Sequence, residues 1–199
     1  MVARRHSIAN SAVATGKGDD GTTGLLYGGR ISKDDPRTDA YGAVDESVAA
    51  MGMARLLLSN AGLSELSELI LRLQREMFVV GAELATNPSA VDRLVDGVTR
   101  VSEDMLSAVE SDLARWETAV EMPREFVVPG ETAASTALEV ARTVVRRAER
   151  RIVTLGRAGE LPSPWLLPYV NRVADLIWVL ARAAEQAEDV ASTKARVRQ

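Results

Sequence analysis

Two segments in the C-terminal half, residues 131–155 and 164–189, repeat an apolar residue every three or four positions for about five helical turns. In the first, Ala134, Leu138, Ala141, Val145, Ala148 and Ile152 share one stripe; in the second, Leu166, Val170, Val173, Ile177, Leu180 and Ala184 do. A strand would need alternation at every second residue, so both segments must be long helices that bury one face against other helices. Aromatic residues make up only 4% of the chain, while Ala, Leu, Val, Glu and Arg dominate, and that mix favours helix over sheet.

The same reading extends upstream. A helix is expected from about Asp39 to Ser59, with Tyr41, Val44, Val48 and Met51 on its buried side, and Asn60–Gly62 as its stop. Ser64 is expected to cap a second helix ending near Asn87–Pro88, and a weaker helical stretch (residues 90–99) precedes a third from Ser102 to Val120. Residues 122–130, bounded by prolines, should be extended, and Glu131 or Thr132 starts the long arginine-bearing helix. The predicted fold is all-α, an up-and-down five-helix bundle. In front of it, residues 15–37 form a glycine-rich loop expected to be long and structureless, which is uncommon unless functional or disordered. The domain organisation follows: a disordered leader over 1–14, one helical-bundle domain over 15–189, and a polar, frayed tail over 190–199.

Several chemistries are excluded by inventory. There is no cysteine, and the only histidine is His6, so thiolate metal sites, Cys nucleophiles, Ser–His triads and helical di-iron sites cannot be assembled. The net charge of -4 offers no overall attraction to nucleic acid or anionic membrane. The longest apolar runs are interrupted by Glu83 or Arg182, short of a membrane span, and the leader lacks an apolar core of signal-peptide length. The cytoplasm is the expected location.

Three features carry chemical information. On the helix over 131–155, Arg142, Arg146 and Glu149 fall within roughly 60° of one another, centred about 80° from the apolar stripe, and Arg147, Arg150 and Arg151 continue around the helix. Five arginines with one interleaved acid repel one another unless an anion relieves them, and guanidinium is the preferred bidentate partner of phosphate. A solvated basic face is the plain alternative. On the last helix, Asn171, Asp175, Trp178 and Arg182 lie within about 60° opposite the stripe. A tryptophan there suits a ligand or a second subunit, the alternative being exposure among surface charges. In the loop, Gly16, Gly18 and Gly21 alternate with Lys17, Asp19, Asp20, Thr22 and Thr23, a composition that lets backbone amides approach phosphate. The P-loop ending Gly-Lys-Ser/Thr is missing, because Thr22 follows Gly21, so a mobile leader remains the alternative.

Five anchors, GDDGTTGL, GGRISKDDPRTDAYGAVDES, FVVPG, ARTVVRRAERRIV and PYVNRVADLIWVLAR, occur in order within the stretch from about Thr15 to Arg182. Together they resemble the PduO-type ATP:cob(I)alamin adenosyltransferases. The resemblance implies a ferritin-like, cobalamin adenosyltransferase-like bundle that assembles as a homotrimer, with ATP held between neighbouring subunits. It implies a triphosphate site from Thr15, Gly16, Lys17 and Gly18, with Thr23 and Lys33 nearby, completed by Arg142, Arg146, Arg147, Glu149, Arg150 and Asn171 and supported by Asp175. It further implies an intersubunit ion pair between Asp45 and Arg142, and an aromatic, Phe126, closing the lower corrin face. The loop differs from the family's usual Thr-Lys/Arg-Thr-Gly-Asp, reading Thr15-Gly16-Lys17-Gly18-Asp19; Glu131, Glu139 and Trp178 also replace the residues common there.

The implied reaction transfers the 5′-deoxyadenosyl group of ATP to the cobalt of cob(I)alamin, with Mg²⁺ on the ATP phosphates and no metal ligand from the protein. Arg142, Arg146, Asp45 and Phe126 are the implied catalytic residues. The reduced cobalt is itself the nucleophile, so the protein's tasks reduce to positioning, charge stabilisation and exclusion of water. A corrinoid reductase and an adenosylcobalamin-dependent mutase are the implied partners, with no nucleic acid and no membrane. The altered loop leaves open a catalytically weak trimeric sensor or delivery protein that binds nucleotide or adenosylcobalamin.

Overall fold

The two apolar stripes set the layout of the protein, seen here in a computed structural model that describes residue 11 and residues 13–196. Five long helices follow in order: α1 (Pro36–Asn60), α2 (Ser64–Leu84), α3 (Glu103–Ala119), α4 (Ala133–Arg157) and α5 (Leu166–Ala187). Every stripe residue of α4 and α5 is buried, and so are Val44 and Met51 of α1, with Tyr41 and Val48 packed at the edge of the same core. Cross-helix contacts give the directions. Arg147–Glu46 and Arg151–Asp39 run α4 antiparallel to α1, and Asn171–Glu149 and Arg182–Glu139 run α5 antiparallel to α4. Arg115–Glu65 and Arg72–Asp112 do the same for α2 and α3. The result is an up-and-down bundle, as expected.

Local chemistry explains the helix starts. Asp35 caps α1 by accepting from Arg37 N, with Pro36 at the first turn. Thr132 and Ser135 form a reciprocal capping box on α4. Ser64 does not cap α2: it is the first helical residue, Leu63 occupies the cap position, and no side chain bonds there. Buried Arg37 ties one end together, donating to Leu84 O at 3.1 Å and pairing with Glu160 at 3.0 Å.

Four further expectations need correction. Residues 15–37 are not structureless, because β1 (Thr22–Gly24) and β2 (Arg30–Ser32) form an antiparallel hairpin. Three-residue strands carry too little period-2 pattern to be read. The stretch over 90–99 is a short 3-10 helix, Pro88–Arg93, followed by a turn, because Asn87 and Pro88 start a helix that has no apolar face to extend it. Within the tail, β4 (Thr193–Lys194) pairs with β3 (Val127–Val128), so these residues are not frayed. Arg182 is fully buried, not part of a polar face. His6 and most of the leader lie outside the described residues. Among the described residues no helix is long and apolar enough to cross a membrane.

Glu83, near the end of α2, is fully buried. Its Oε2 accepts from Val101 N at 2.6 Å, which anchors the turn before α3. The Ser163 hydroxyl and amide lie close enough to favour the charged form, yet neither Glu83 Oε1 nor Ser163 Oγ completes a hydrogen bond. Burial pushes the carboxyl above the usual Glu range, against the opposing pull of the Val101 amide. A raised folded value means the protonated form is better tolerated: its stability is present below the ordinary Glu range and lost as pH climbs through the raised value. Glu83→Gln should therefore raise Tm by about 3 °C at neutral pH. The gain should vanish under acid conditions, and a shift independent of pH in scanning calorimetry would rule out burial of the charge as its cause.

Candidate active site

The buried stripe of α4 sets its rotation, and ten residues after the Thr132 cap Arg142 stands on the flank beside Trp178 of α5. Across that seam Asn171 Nδ2 donates to Glu149 Oε1 at 2.7 Å, and Arg182 Nη1 reaches Glu139 Oε1 at 3.1 Å. This register sets Asp175 and Trp178 of α5 beside Arg146 and Arg142 of α4. With Leu113 and Glu117 of α3 they line a cleft of about 400 Å³. Arg142 and Trp178 also line a second cleft of about 490 Å³, whose other walls are Glu139 and the segment bearing Pro123, Phe126, Val127 and Pro129. Phe126 stands on its rim, 85% exposed. β4 secures this segment, and Ala195 N donates to Phe126 O at 2.8 Å.

The arginines of α4 do not face one another unrelieved. Arg142 Nε bonds Glu139 Oε2 at 2.7 Å, Arg146 pairs with Glu149 at 3.3 Å, Arg147 with Glu46, and Arg151 with Asp39 at 3.0 Å. The acids of α1, invisible from the α4 sequence alone, relieve Arg147 and Arg151, while Glu139 and Glu149 of α4 itself relieve Arg142 and Arg146. Arg150 is exposed and has no ion pair among the described residues. The exposed pairs contribute about 0–1 kcal/mol each, so a polyphosphate can exchange with them at little cost. Asn171 continues the polar wall: its Oδ1 accepts from Arg172 Nη1, which also donates to Asp175 Oδ2, both at 2.9 Å. Arg172 was not picked out from the sequence, because it lies between the stripe and the polar face.

The N-terminal loop is organised by a residue that sequence reasoning also missed, Arg30 of β2. Its guanidinium donates to Lys17 O at 2.5 Å and to Thr22 Oγ1. Asp20 Oδ1 accepts from Thr22 N at 2.9 Å and Thr22 Oγ1 at 2.7 Å. Those Thr22 bonds, with Arg30 alongside, hold the Asp20 carboxyl below its ordinary value. Gly16 has a φ of 67°, the left-handed region open to glycine. At Gly18 a Cβ would lie 3.0 Å from Lys33 Nζ and 3.2 Å from Thr22 O, so a larger residue would make the flexible lysine end give by a few tenths of an ångström. Thr15, Gly16, Lys17, Gly18 and Lys33 are thus gathered in one loop, with Thr23 paired opposite Ile31 in the adjoining hairpin.

One chain does not bring the two groups of candidates together. The loop leads into the start of α1, the end at which Asp39 meets Arg151, whereas Phe126 and Arg142 lie towards the opposite end. Nine residues of α4 separate Arg151 from Arg142, about 14 Å along the axis. Asp45, on α1, is exposed and has no ion pair among the described residues, while Arg142 is taken up by Glu139 within the chain. Among the described residues no group of three or more His, Asp or Glu side chains is arranged to hold a metal ion.

Comparison with known proteins meets this geometry. Residues 13–184 match the family model described as cobalamin adenosyltransferase. A corrinoid adenosyltransferase of Citrobacter freundii is 38% identical over 178 residues, which are 89% of this chain and 97% of that protein. The corrinoid adenosyltransferase PduO of Salmonella typhimurium is 37% identical over 177 residues, 87% of this chain; the chain spans 50% of that relative's length. A solved variant of a PduO-type ATP:corrinoid adenosyltransferase from Lactobacillus reuteri, complexed with cobalamin and ATP, superposes with a TM-score of 0.83 at 31% identity, covering 92% of this chain and 98% of that one.

Proposed function

Because the chain belongs to the cobalamin adenosyltransferase family, we propose that it transfers the 5′-deoxyadenosyl group of ATP to the cobalt of cob(I)alamin, giving adenosylcobalamin and triphosphate. The observation that carries this reading to particular residues is the pair of adjoining clefts that share Arg142 and Trp178. One is walled by Phe126, Val127, two prolines and Trp178, a surface suited to a flat, largely apolar macrocycle. The other offers Arg146 beside the shared Arg142, a surface suited to a polyphosphate.

In the reaction the cobalt supplies the electron pair, the Co–C5′ bond forms, and the C5′–O5′ bond breaks with its electrons leaving on triphosphate. Arg142 and Arg146 stabilise the charge that accumulates on the leaving group, with Mg²⁺ riding on the phosphates. Thr15, Gly16, Lys17, Gly18, Thr23 and Lys33 cradle the phosphates, Arg147, Glu149, Arg150 and Asn171 complete the nucleotide site, and Asp175 supports it. Phe126 covers one corrin face, excluding water and a lower axial ligand. The family resemblance implies a homotrimer as the functional unit, and a site shared between subunits is supported by the separation of the loop from the Arg142 cleft on one chain and by exposed Asp45, which would meet Arg142 of a neighbour. Electron supply by a corrinoid reductase, delivery to an adenosylcobalamin-dependent mutase and a cytoplasmic location complete the proposal.

The test is an anaerobic assay with ATP, Mg²⁺ and chemically reduced cobalamin, read by visible absorbance. Absence of the adenosylcobalamin spectrum would overturn the enzyme and leave the binding module. Phe126→Ala should slow product formation from cob(II)alamin about tenfold or more. Because the side chain is exposed, Tm should barely move; an unchanged rate would mean that another group closes the lower face.

A further inference from the structure

Arg182 is among the largest fully buried side chains of the described residues, and all of its nitrogens are engaged. Nε and Nη2 grip both oxygens of Glu185 at 2.8 and 2.7 Å, and Nη1 reaches Glu139 Oε1 at 3.1 Å. Glu139 is itself 4% exposed, yet its second oxygen points the other way, accepting from Arg142 Nε at 2.7 Å. Two cations and two anions therefore alternate from the interior to the wall shared by the two clefts, Glu185–Arg182–Glu139–Arg142. The interior end is also tied to the Phe126 segment. Ser192 Oγ donates to Glu185 Oε2 at 2.5 Å, and the next two residues pair with Val127–Val128.

A bare arginine on a helix flank samples many rotamers, and each one frozen in the reaction costs free energy. Glu139 removes that freedom beforehand. By occupying Nε it leaves the two terminal nitrogens of Arg142, a residue that lines both clefts, without a hydrogen-bond partner among the described residues. Arg182, unable to lose its charge or to move in a packed interior, prevents the Glu139 carboxylate from following Arg142 or turning away. We propose that Glu139 is a positioning residue for adenosyl transfer, holding the Arg142 guanidinium on the cleft wall while itself pinned by buried Arg182. The proposal rests on the reading of Arg142 as a group that acts on the leaving triphosphate.

A double-mutant cycle tests it, using the full chain in single-turnover assays at high enzyme concentration so that slow variants stay measurable. Glu139→Gln keeps an acceptor for Arg182 but loses the charge that holds Arg142. It should lower the rate of Co–C bond formation about ten- to hundredfold. In an Arg142→Ala background the same change should alter the rate by less than about twofold, because the group it positions is gone. A merely structural Glu139 predicts an equal loss in both backgrounds, and that result overturns the proposal, as does a wild-type rate in Glu139→Gln. If the Gln variant does not fold, Glu139→Asp, which keeps the charge but withdraws it by one methylene, carries the same cycle. A wild-type protein that forms no Co–C bond would instead sink the adenosyltransferase reading itself, so the two failures are distinguishable.

Discussion

Arg146→Ala is expected to lower the rate of adenosyl transfer by about a hundred- to a thousandfold while leaving the bundle intact. The side chain is 45% exposed and makes a single ion pair, to Glu149 at 3.3 Å, on its own helix. Such a pair contributes at most about 1 kcal/mol, so Tm should shift by no more than a few degrees. The catalytic loss is expected to be larger because, in the proposed reaction, a guanidinium in this cleft would meet charge that develops on the leaving triphosphate only as the C5′–O5′ bond breaks. Adenosylcobalamin formation followed by absorbance, with thermal melts alongside, separates the two effects. Activity within twofold of wild type would remove Arg146 from the site.

The largest effect on stability should come from Arg182→Ala, at about 3–5 kcal/mol, or roughly 10 °C in Tm for a domain of this size. The loss does not measure what the ion cluster contributes. It arises because Glu139 and Glu185, 4% and 1% exposed, are left with charge in a packed interior and no buried cation. Replacing all three residues together, as Arg182→Met with Glu139→Gln and Glu185→Gln, should therefore recover much of the stability while adenosyl transfer stays impaired. Calorimetry of the two proteins checks this. A single variant that melts within 2 °C of wild type would show that the interior admits water to the carboxylates.

Particular residues show how far a linear reading reaches. The stripes of α4 and α5 were legible because burial of one helix face leaves a 3.6-residue period whatever the partner is. The glycine-rich loop and the Arg142–Arg146–Glu149 flank were legible as candidates, because their chemistry is local to a few residues. Arg182 was misjudged for the same reason: on a helical wheel it lies opposite the stripe, beside Asp175 and Trp178, and nothing in α5 alone shows that α4 brings Glu139 to cover it. Arg30 went unnoticed because its contacts with Asp20, Thr22 and Lys17 form only when the hairpin folds, and Arg172 because it lies between the stripe and the polar face and Glu110 reaches it only from α3. The β3–β4 pairing joins residues far apart in the chain through two-residue strands, which leave no periodic trace.

By its own pattern, then, the chain determined five long helices, their buried faces, the inventory that excludes thiol and histidine chemistry, and the basic flank that marks α4. Tertiary structure decided that Glu46 and Asp39 of α1 reach Arg147 and Arg151, which arginines stay open to a ligand, and where the clefts lie. The division is physical: a helix face and a pair such as Arg146–Glu149 are written by near neighbours in sequence, whereas an ion pair between helices or a cleft wall exists only where two elements are held in one register.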